Sequence, residues 1–328
     1  MGAIEALRAL FGRVPAGLDA AFVVVVHRSA GVTVLPQILA RDSGQAVETA
    51  QDGQSLEAGG IYVAPGGLHT RIDGDKLAVA IGPRENGHRP SIDVLFRSAA
   101  ESYGNRVIGV VLSGALDCGS LGLLEIKRCG GVTVVQDPAT ALNAQMPQSA
   151  INLVHPDHMA APAAMGPLLS RLLVRPPPHH RRRYAPPPQR QAPFVCPECS
   201  GPIWEERGAI DYRCRTGHRY SAELFFKEKE KKLESALWEA LNVMQERIEL
   251  SKRMAARARE NGHDGVAERF ESRAADAEEN AALLRDLIYR SDGTLPMDEV
   301  PLEAKKQARR KRRTGIKRRG SRAARRGE

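Results

Sequence analysis

The chain has 328 residues, of which 42% are hydrophobic and 27% charged, a composition typical of a globular protein rather than a fibrous or wholly disordered one. Its net charge of +9 is unevenly distributed along the chain. Residues 305–328 carry 13 Lys or Arg and one acid, so the charges of the remaining residues sum to about −3. The sequence excludes a basic nucleic-acid-binding core, a membrane-spanning apolar run and a disulfide scaffold. Because its start does not resemble a secretory signal, we expect a cytoplasmic protein.

Residues 1–173 alternate between strand-like and helix-like stretches. Short β-branched runs bounded by Gly, Pro or Asp predict strands buried on both faces, at 22–27, 59–65, 106–114 and 130–137. Helix-like stretches fall at 4–10, 91–103, 120–129 and 166–173. This alternation predicts an α/β domain with a doubly wound parallel sheet.

Two features lie where this sheet is expected to end. His27 closes the run of four valines, at the carboxyl edge where α/β folds place their ligands. The glycine-rich loop 113–120 follows another strand and offers backbone N–H groups for an oxyanion, and its Asp117 could orient a histidine. The alternatives are a buried structural histidine and a tight structural turn.

Residues 174–193 hold 7 of the 21 prolines, which predicts an extended linker. The following segment, 194–221, contains a CxxC pair and a CxxxH pair with the spacing of a tetrahedral zinc site. Four protein ligands close such a site, so a zinc ribbon with structural Zn²⁺ is predicted; a redox CxxC is the alternative. The predicted ligands are Cys196, Cys199, Cys214 and His218.

Apolar residues at three- and four-residue steps predict a helical hairpin over 222–291, broken near Gly262. It would serve structure or self-association, or else form a groove for a partner. Residues 292–328 are expected to be a disordered basic tail that contacts an anionic surface; a nucleic acid bound without sequence specificity is the alternative.

Seven ordered motifs in the first half of the chain carry a family resemblance. They are IEAL at 4–7, VVVVH at 23–27, IYVAPGGLH at 61–69, RPSIDVLFRSAA at 89–100, IGVVLSGALDCGSLGL at 108–123, GGVTVVQDP at 130–138 and MPQSAI at 146–151. Together they resemble the catalytic domain of the chemotaxis protein-glutamate methylesterases, the CheB-type family. The C-terminal part resembles the zinc-ribbon and helical extension of a subset of that family.

The resemblance implies hydrolysis of glutamyl methyl esters on chemoreceptor helices by a serine, a histidine and an aspartate. It gives His27 the role of general base, places backbone near Ala115 at the oxyanion hole, and puts Pro65 and His69 at the cleft wall. The implied partners are methylated chemoreceptor helices and a separate receiver or methyltransferase protein, because we expect no receiver domain in this chain.

Two departures from the family pattern bear on activity. Aligning the nucleophile turn on Gly2 and Ala3 puts its serine one residue before Met1, so the serine and the first strand are expected to be missing. Cys118 stands where the family has its aspartate, and Asp117 is the nearest substitute. Two hypotheses follow: an esterase whose start lies further upstream, or a non-catalytic relative acting as a signalling scaffold through its ribbon and helices.

Overall fold

The structure, a computed structural model, describes residues 2–174, 188–206 and 211–291. The chain divides into two compact units, Met1–Lys229 and Glu230–Glu328. Most of the predicted linker, at 175–187, and the whole predicted tail, at 292–328, lie outside the described residues.

The first unit begins with an α/β domain. Its helices are α1 (Ala3–Phe11), α2 (Leu35–Ser43), α3 (Ile92–Tyr103), α4 (Ser120–Arg128), α5 (Gln145–Val154) and α6 (Pro162–Val174). Its strands are β1 (Phe22–Val24), β2 (Val47–Thr49), β3 (Ile61–Val63), β4 (His69–Asp73), β5 (Lys76–Ala80), β6 (Ile108–Val111), β7 (Val132–Gln136) and β8 (His158–Ala160). The four predicted strands correspond to β1, β3, β6 and β7.

The strands form two three-stranded parallel sheets, in the orders β1-β3-β2 and β6-β7-β8, and one antiparallel hairpin of β4 and β5. The predicted mixed α/β architecture with parallel strands is therefore confirmed. Most helices bury one apolar face against these strands, which gives two core clusters, one around Leu39 and Met165 and the other around Leu123 and Ile126.

A cavity of about 800 Å³ lies beside β1 and β6, with α1, α3 and α6 contributing to its walls. Within residues 2–174, β1 pairs only with β3, and β6 pairs only with β7. Val23 and Val25, together with Val110, line the cavity and are only partly buried. Central strands of a parallel sheet are normally buried on both faces, so this cavity is an apolar slot open along two strand edges.

After residues 175–187, the chain forms a four-stranded antiparallel sheet in the order β12-β11-β10-β9, which we call the ribbon. Its strands are β9 (Gln189–Val195), β10 (Pro202–Glu206), β11 (Asp211–Cys214) and β12 (Arg219–Ser221). Strand β9 takes residues 189–193, which were predicted as part of the linker, into the sheet. Pro193 is tolerated there because β9 is an edge strand with a register irregularity against β10.

Two long helices follow in the described part of the chain, α7 (Ala222–Glu260) and α8 (Asp264–Ser291), within the range predicted for the hairpin. In the second unit, Leu241, Ala281 and Ile288 form a buried seam between them. Among the described residues, no helix combines the length and apolar character that crossing a lipid bilayer requires.

Candidate active site

His27 lies three residues beyond the end of β1, at the carboxyl edge of its sheet. Its Nε2 is 3.0 Å from the sulfur of Cys118. Burial, followed by the charge of the neighbouring His88, lowers the pKa of His27 to about 3. The imidazole is therefore neutral near neutral pH, the state that a general base requires.

The ring of His88 stacks on that of His27, with centroids 3.7 Å apart and an interplanar angle of 11°. His88 belongs to a two-residue turn, because Glu85 and His88 exchange backbone hydrogen bonds of 3.3 and 3.0 Å. Asn86 and Gly87 form the tip with φ of 52° and 73°, a geometry that Asn-Gly pairs favour. The turn thus fixes one face of the His27 ring.

Cys118 occupies a pocket at the amino end of α3. Its sulfur lies 3.7 Å from the hydroxyl of Ser91, and the backbone N–H groups of Ile92 and Asp93 face it. Such donors favour an anion. Burial nevertheless raises the pKa of the Cys118 thiol well above its usual value, and the nearby Asp93 adds to this effect. The group facing His27 is therefore a neutral thiol in a pocket built of hydrogen-bond donors.

Asp117 has a different partner from the one that the sequence suggested. Its Oδ1 accepts a 2.8 Å hydrogen bond from Nδ2 of Asn86. The structure therefore brings His27 and Cys118 together and places the Asp117 carboxylate on the Asn86 turn, so that its role in orienting His27 stays a prediction.

The loop that starts at Ser113 is held at several points. The backbone N–H of Ser113 donates to Oε1 of Gln136 at 2.8 Å, and that of Gly114 donates to the carbonyl of Asn143 at 3.1 Å. Ala115 is exposed, and its N–H has no hydrogen-bond partner in the described part of the chain. That N–H is therefore not engaged within the described residues, and its role at an oxyanion hole stays a prediction.

The start of α1 lies against this loop. Gly2 precedes the helix with φ of 86°, and a Cβ built on it would lie 2.5 Å from the Ser113 hydroxyl oxygen. Ala3 lines the same cavity as His27 and Gly114. The start of α1, the loop after β6 and His27 therefore border one cavity.

Pro65 and His69, which were expected at the cleft wall, follow β3 and begin β4. His69 is buried, donates from Nε2 to the carbonyl of Pro83 at 2.8 Å, and accepts at Nδ1 from the N–H of Ser91 at 3.3 Å. With both ring nitrogens engaged, this histidine positions the segment before α3 and does not present a free nitrogen to the cleft.

The four predicted metal ligands of the ribbon form one cluster, whose ligand atoms all lie within 4.8 Å of one another. The sulfurs of Cys199 and Cys214 are 3.7 Å apart, and Nδ1 of His218 is 3.7 Å from Cys196 and 3.4 Å from Cys214. A tetrahedron with bonds of about 2.3 Å has edges of about 3.8 Å, so the donors fit such an ion.

Side chains around the cluster also suit a metal. Nε2 of His218 lies 3.1 Å from the carboxylate of Glu198, which orients Nδ1 toward the cluster. A hydrogen bond from Thr216 is the main cause that lowers the pKa of Cys199 to about 6, which favours its thiolate.

Sequence reasoning missed Asn86, His88 and Ser91 as parts of this site. The dipeptide Asn86-Gly87 was a turn signal, but nothing in its spacing tied it to residues 27 or 117. That contact depends on packing between segments distant in sequence.

The fold is an α/β domain of parallel strands, with His27 after β1 and the loop that contains Ala115 after β6. Ligands of such domains bind at the carboxyl ends of the strands. The family model described as CheB methylesterase matches residues 1–169, and the chain belongs to this family.

Relatives and a solved structure agree with this membership. A Leptospira interrogans protein, named as a candidate protein-glutamate methylesterase/protein-glutamine glutaminase, is 38% identical over 52% of this chain and 90% of its own length. The protein-glutamate methylesterase/protein-glutamine glutaminase 2 of Methanospirillum hungatei is 36% identical over 45% of this chain and 43% of its own. The crystal structure of the Thermotoga maritima CheB methylesterase catalytic domain matches with a TM-score of 0.50 and 28% identity, over 52% of this chain and 93% of that one.

Proposed function

We propose that this chain carries a protein-glutamate methylesterase domain that hydrolyses glutamyl methyl esters on chemoreceptor helices. The strand and the nucleophilic serine of this domain would be supplied by residues preceding Met1. His27 would take the serine's proton as the serine attacks the ester carbonyl, and would give it to the departing methanol. It would then take a proton from a water that hydrolyses the acyl-serine, and would return that proton to the serine. The N–H of Ala115 would stabilise the oxyanion.

The observation that carries this proposal is the apolar slot. Among the described residues it borders the unpaired edges of β1 and β6, and its lining includes His27, Ala3 and Gly114. A parallel strand filling it would join both three-stranded sheets, and the turn after it would lead directly into α1. A serine on that turn would lie beside the imidazole.

The relatives' names pair ester hydrolysis with glutamine hydrolysis. Both reactions attack the same side-chain carbonyl and differ in the leaving group, methanol or ammonia. One serine–histidine arrangement serves both, so we extend the proposal to the amide as a second substrate.

A second candidate is a non-catalytic family relative that acts as a signalling scaffold. Cys118 favours it, because a neutral thiol at 3.0 Å from His27 supplies no charge to stabilise an imidazolium. The scaffold would act through the ribbon and the helices α7 and α8. In either case we propose a cytoplasmic protein that binds methylated chemoreceptors and a separate receiver or methyltransferase, with a tail that contacts anionic surfaces and no specific nucleic acid.

We also propose that the cluster of Cys196, Cys199, Cys214 and His218 binds Zn²⁺ in a structural role. The distances between the donors and the contact of His218 with Glu198 support this assignment. Metal binding would contribute to the folding of a sheet with a small apolar core.

The test compares the 328-residue chain with a chain extended by the residues encoded upstream. Methanol release from methylated receptor and ammonia release from receptor glutamine are measured for both. The esterase proposal expects turnover by the extended chain and none after its upstream serine is replaced by alanine. No turnover by either chain, with receptor binding retained, supports the scaffold instead.

A further inference from the structure

The ribbon lies against the turn that positions the candidate active site. The backbone N–H of Asn86 donates to the carbonyl of Arg219 at 2.7 Å, and Glu85 forms a parallel bridge with Arg219. The amide Oδ1 of Asn86 accepts hydrogen bonds of 3.1 Å from both the N–H and the hydroxyl of Ser221. Strand β12, which contains both partners, starts directly after the cluster ligand His218.

The nitrogen of the same Asn86 amide contacts the glycine-rich loop 113–120. Nδ2 of Asn86 donates to Asp117 at 2.8 Å, while Asn86 itself is 5% exposed. Leu116 of this loop packs on the apolar cluster that the ribbon forms with the start of α7. The loop and the turn therefore share one support, and that support belongs to the ribbon.

Charged groups hold each side of this contact in place. The carboxylate of Glu85 accepts two hydrogen bonds of 2.7 Å from Arg97 of α3. The guanidinium of Arg219 contacts Asp211 at 2.6 Å and Glu206 at 3.0 Å. Both Glu85 and Arg219 are largely shielded from water. The turn is therefore fixed to α3 and β12 is fixed within the ribbon, while the hydrogen bonds of Asn86 join the two.

We infer that Asn86 is a positioning residue through which metal binding in the ribbon fixes the Asp117 loop and the His88 ring against His27. The path runs from the metal ligands through β12 to the Asn86 turn, and from there to both elements of the site. Without the metal, β12 loses its anchor at His218 and the turn loses its fixed partners. The inference rests on the proposed metal site, but the role of Asn86 itself does not.

The first experiment measures hydrogen exchange on the full chain, with Zn²⁺ bound and after chelation. We expect chelation to raise exchange of residues 85–88 and 115–119 by about tenfold, as the loss of buried hydrogen bonds permits. Exchange of β7 and α4 stays unchanged, and re-addition of Zn²⁺ restores protection. If chelation deprotects the ribbon and leaves both segments as they were, the coupling is refuted.

The second experiment keeps the metal bound and changes the amide. Asn86→Gly suits the positive φ and removes the side chain, whereas Asn86→Asp keeps the oxygen for Ser221 and places a carboxylate against Asp117. Both variants should raise hydrogen exchange at residues 115–119. Hydrogen exchange of the ribbon should rise only in Asn86→Gly. Asn261→Gly, in the helical turn of the second unit, is the control.

The double variant Asn86→Asp/Asp117→Asn exchanges donor and acceptor across the 2.8 Å contact. It should restore the protection at 115–119 and the chemical shifts of the His27 and His88 rings that Asn86→Asp changes. Asp117→Asn alone keeps an acceptor oxygen for Asn86 and should change them little. A merely structural role predicts no such rescue, and a double variant as perturbed as Asn86→Asp would overturn the assignment. Metal content, determined by mass spectrometry, separates this failure from failure of the zinc proposal, because it reports on the cluster alone.

Discussion

The imidazole of His27 faces the sulfur of Cys118 at 3.0 Å, and that sulfur lies among donors from Ser91 and the first turn of α3. A pocket of this kind stabilises negative charge, yet burial keeps the thiol protonated. The residue at position 118 therefore decides whether the histidine has an anionic partner.

Cys118→Asp should place a carboxylate in this donor pocket. An opposite charge at this distance raises a histidine pKa by about 1 to 3, starting from a value of about 3 for His27. An NMR titration of the ring protons measures the change, and Cys118→Ser is the neutral control. Equal His27 pKa values in the Asp and Ser variants would show that the pocket does not hold an ionised carboxylate.

Acid should destabilise the first unit through His27. Its folded pKa of about 3 lies below the value of about 6.5 of an unfolded imidazole, so the unfolded chain binds more protons between them. The contribution of the neutral His27 side chain to the free energy of unfolding is fully present above about pH 6.5 and is lost as the pH falls toward 3. Urea unfolding at a series of pH values measures the free energy of unfolding. Between about pH 6.5 and 3 this free energy should fall less in His27→Asn than in the native chain. An equally steep fall in both proteins would contradict the role of His27.

Two adjacent valines of β6 should differ in their contribution to stability. Val111 is 0% exposed in the core that contains Leu123, whereas Val110 lines the slot and is partly exposed. Val111→Ala should lower the free energy of unfolding by about 2 kcal/mol, and Val110→Ala by less than about 1 kcal/mol. Denaturant midpoints compare them. In a chain extended to fill the slot, the two losses should become similar.

Glu198→Gln should weaken metal binding by about 10- to 100-fold, because this carboxylate orients the ligand His218. Competition with a coloured chelator measures the affinity. Glu205→Gln is the matched control, since Glu205 lies in β10 of the same ribbon but pairs with Arg190. Equal affinities for the two variants would remove Glu198 from the metal site.

The parallel-strand domain followed from local pattern, because the runs that became β3, β6 and β7 are β-branched and bounded by turn residues. The Cys and His spacing likewise predicted the cluster that the ribbon assembles. Predicted strands were too long: the run ending at His27 pairs only as far as Val24, because the neighbouring edge of β1 borders the slot.

Other elements could not be derived from sequence. Helix α2 and the short strands β2 and β8 have weak patterns and form through tertiary packing. The role of Asn86 depends on contacts across 135 residues to Ser221 and 31 residues to Asp117, which no local periodicity encodes.

Pro193 affects how the ribbon behaves toward other molecules. It interrupts β9, an outer strand on which Phe194 and Val195 are 44% and 50% exposed. Among the described residues, no strand pairs with the outer edge of β9. Aromatic and β-branched side chains on such an edge favour intermolecular pairing and fibrous aggregation. Pro193 has no N–H and lies where the register of β9 against β10 shifts, so an incoming strand does not meet a continuous row of hydrogen-bond donors. We therefore expect the ribbon to resist self-assembly although it exposes these side chains.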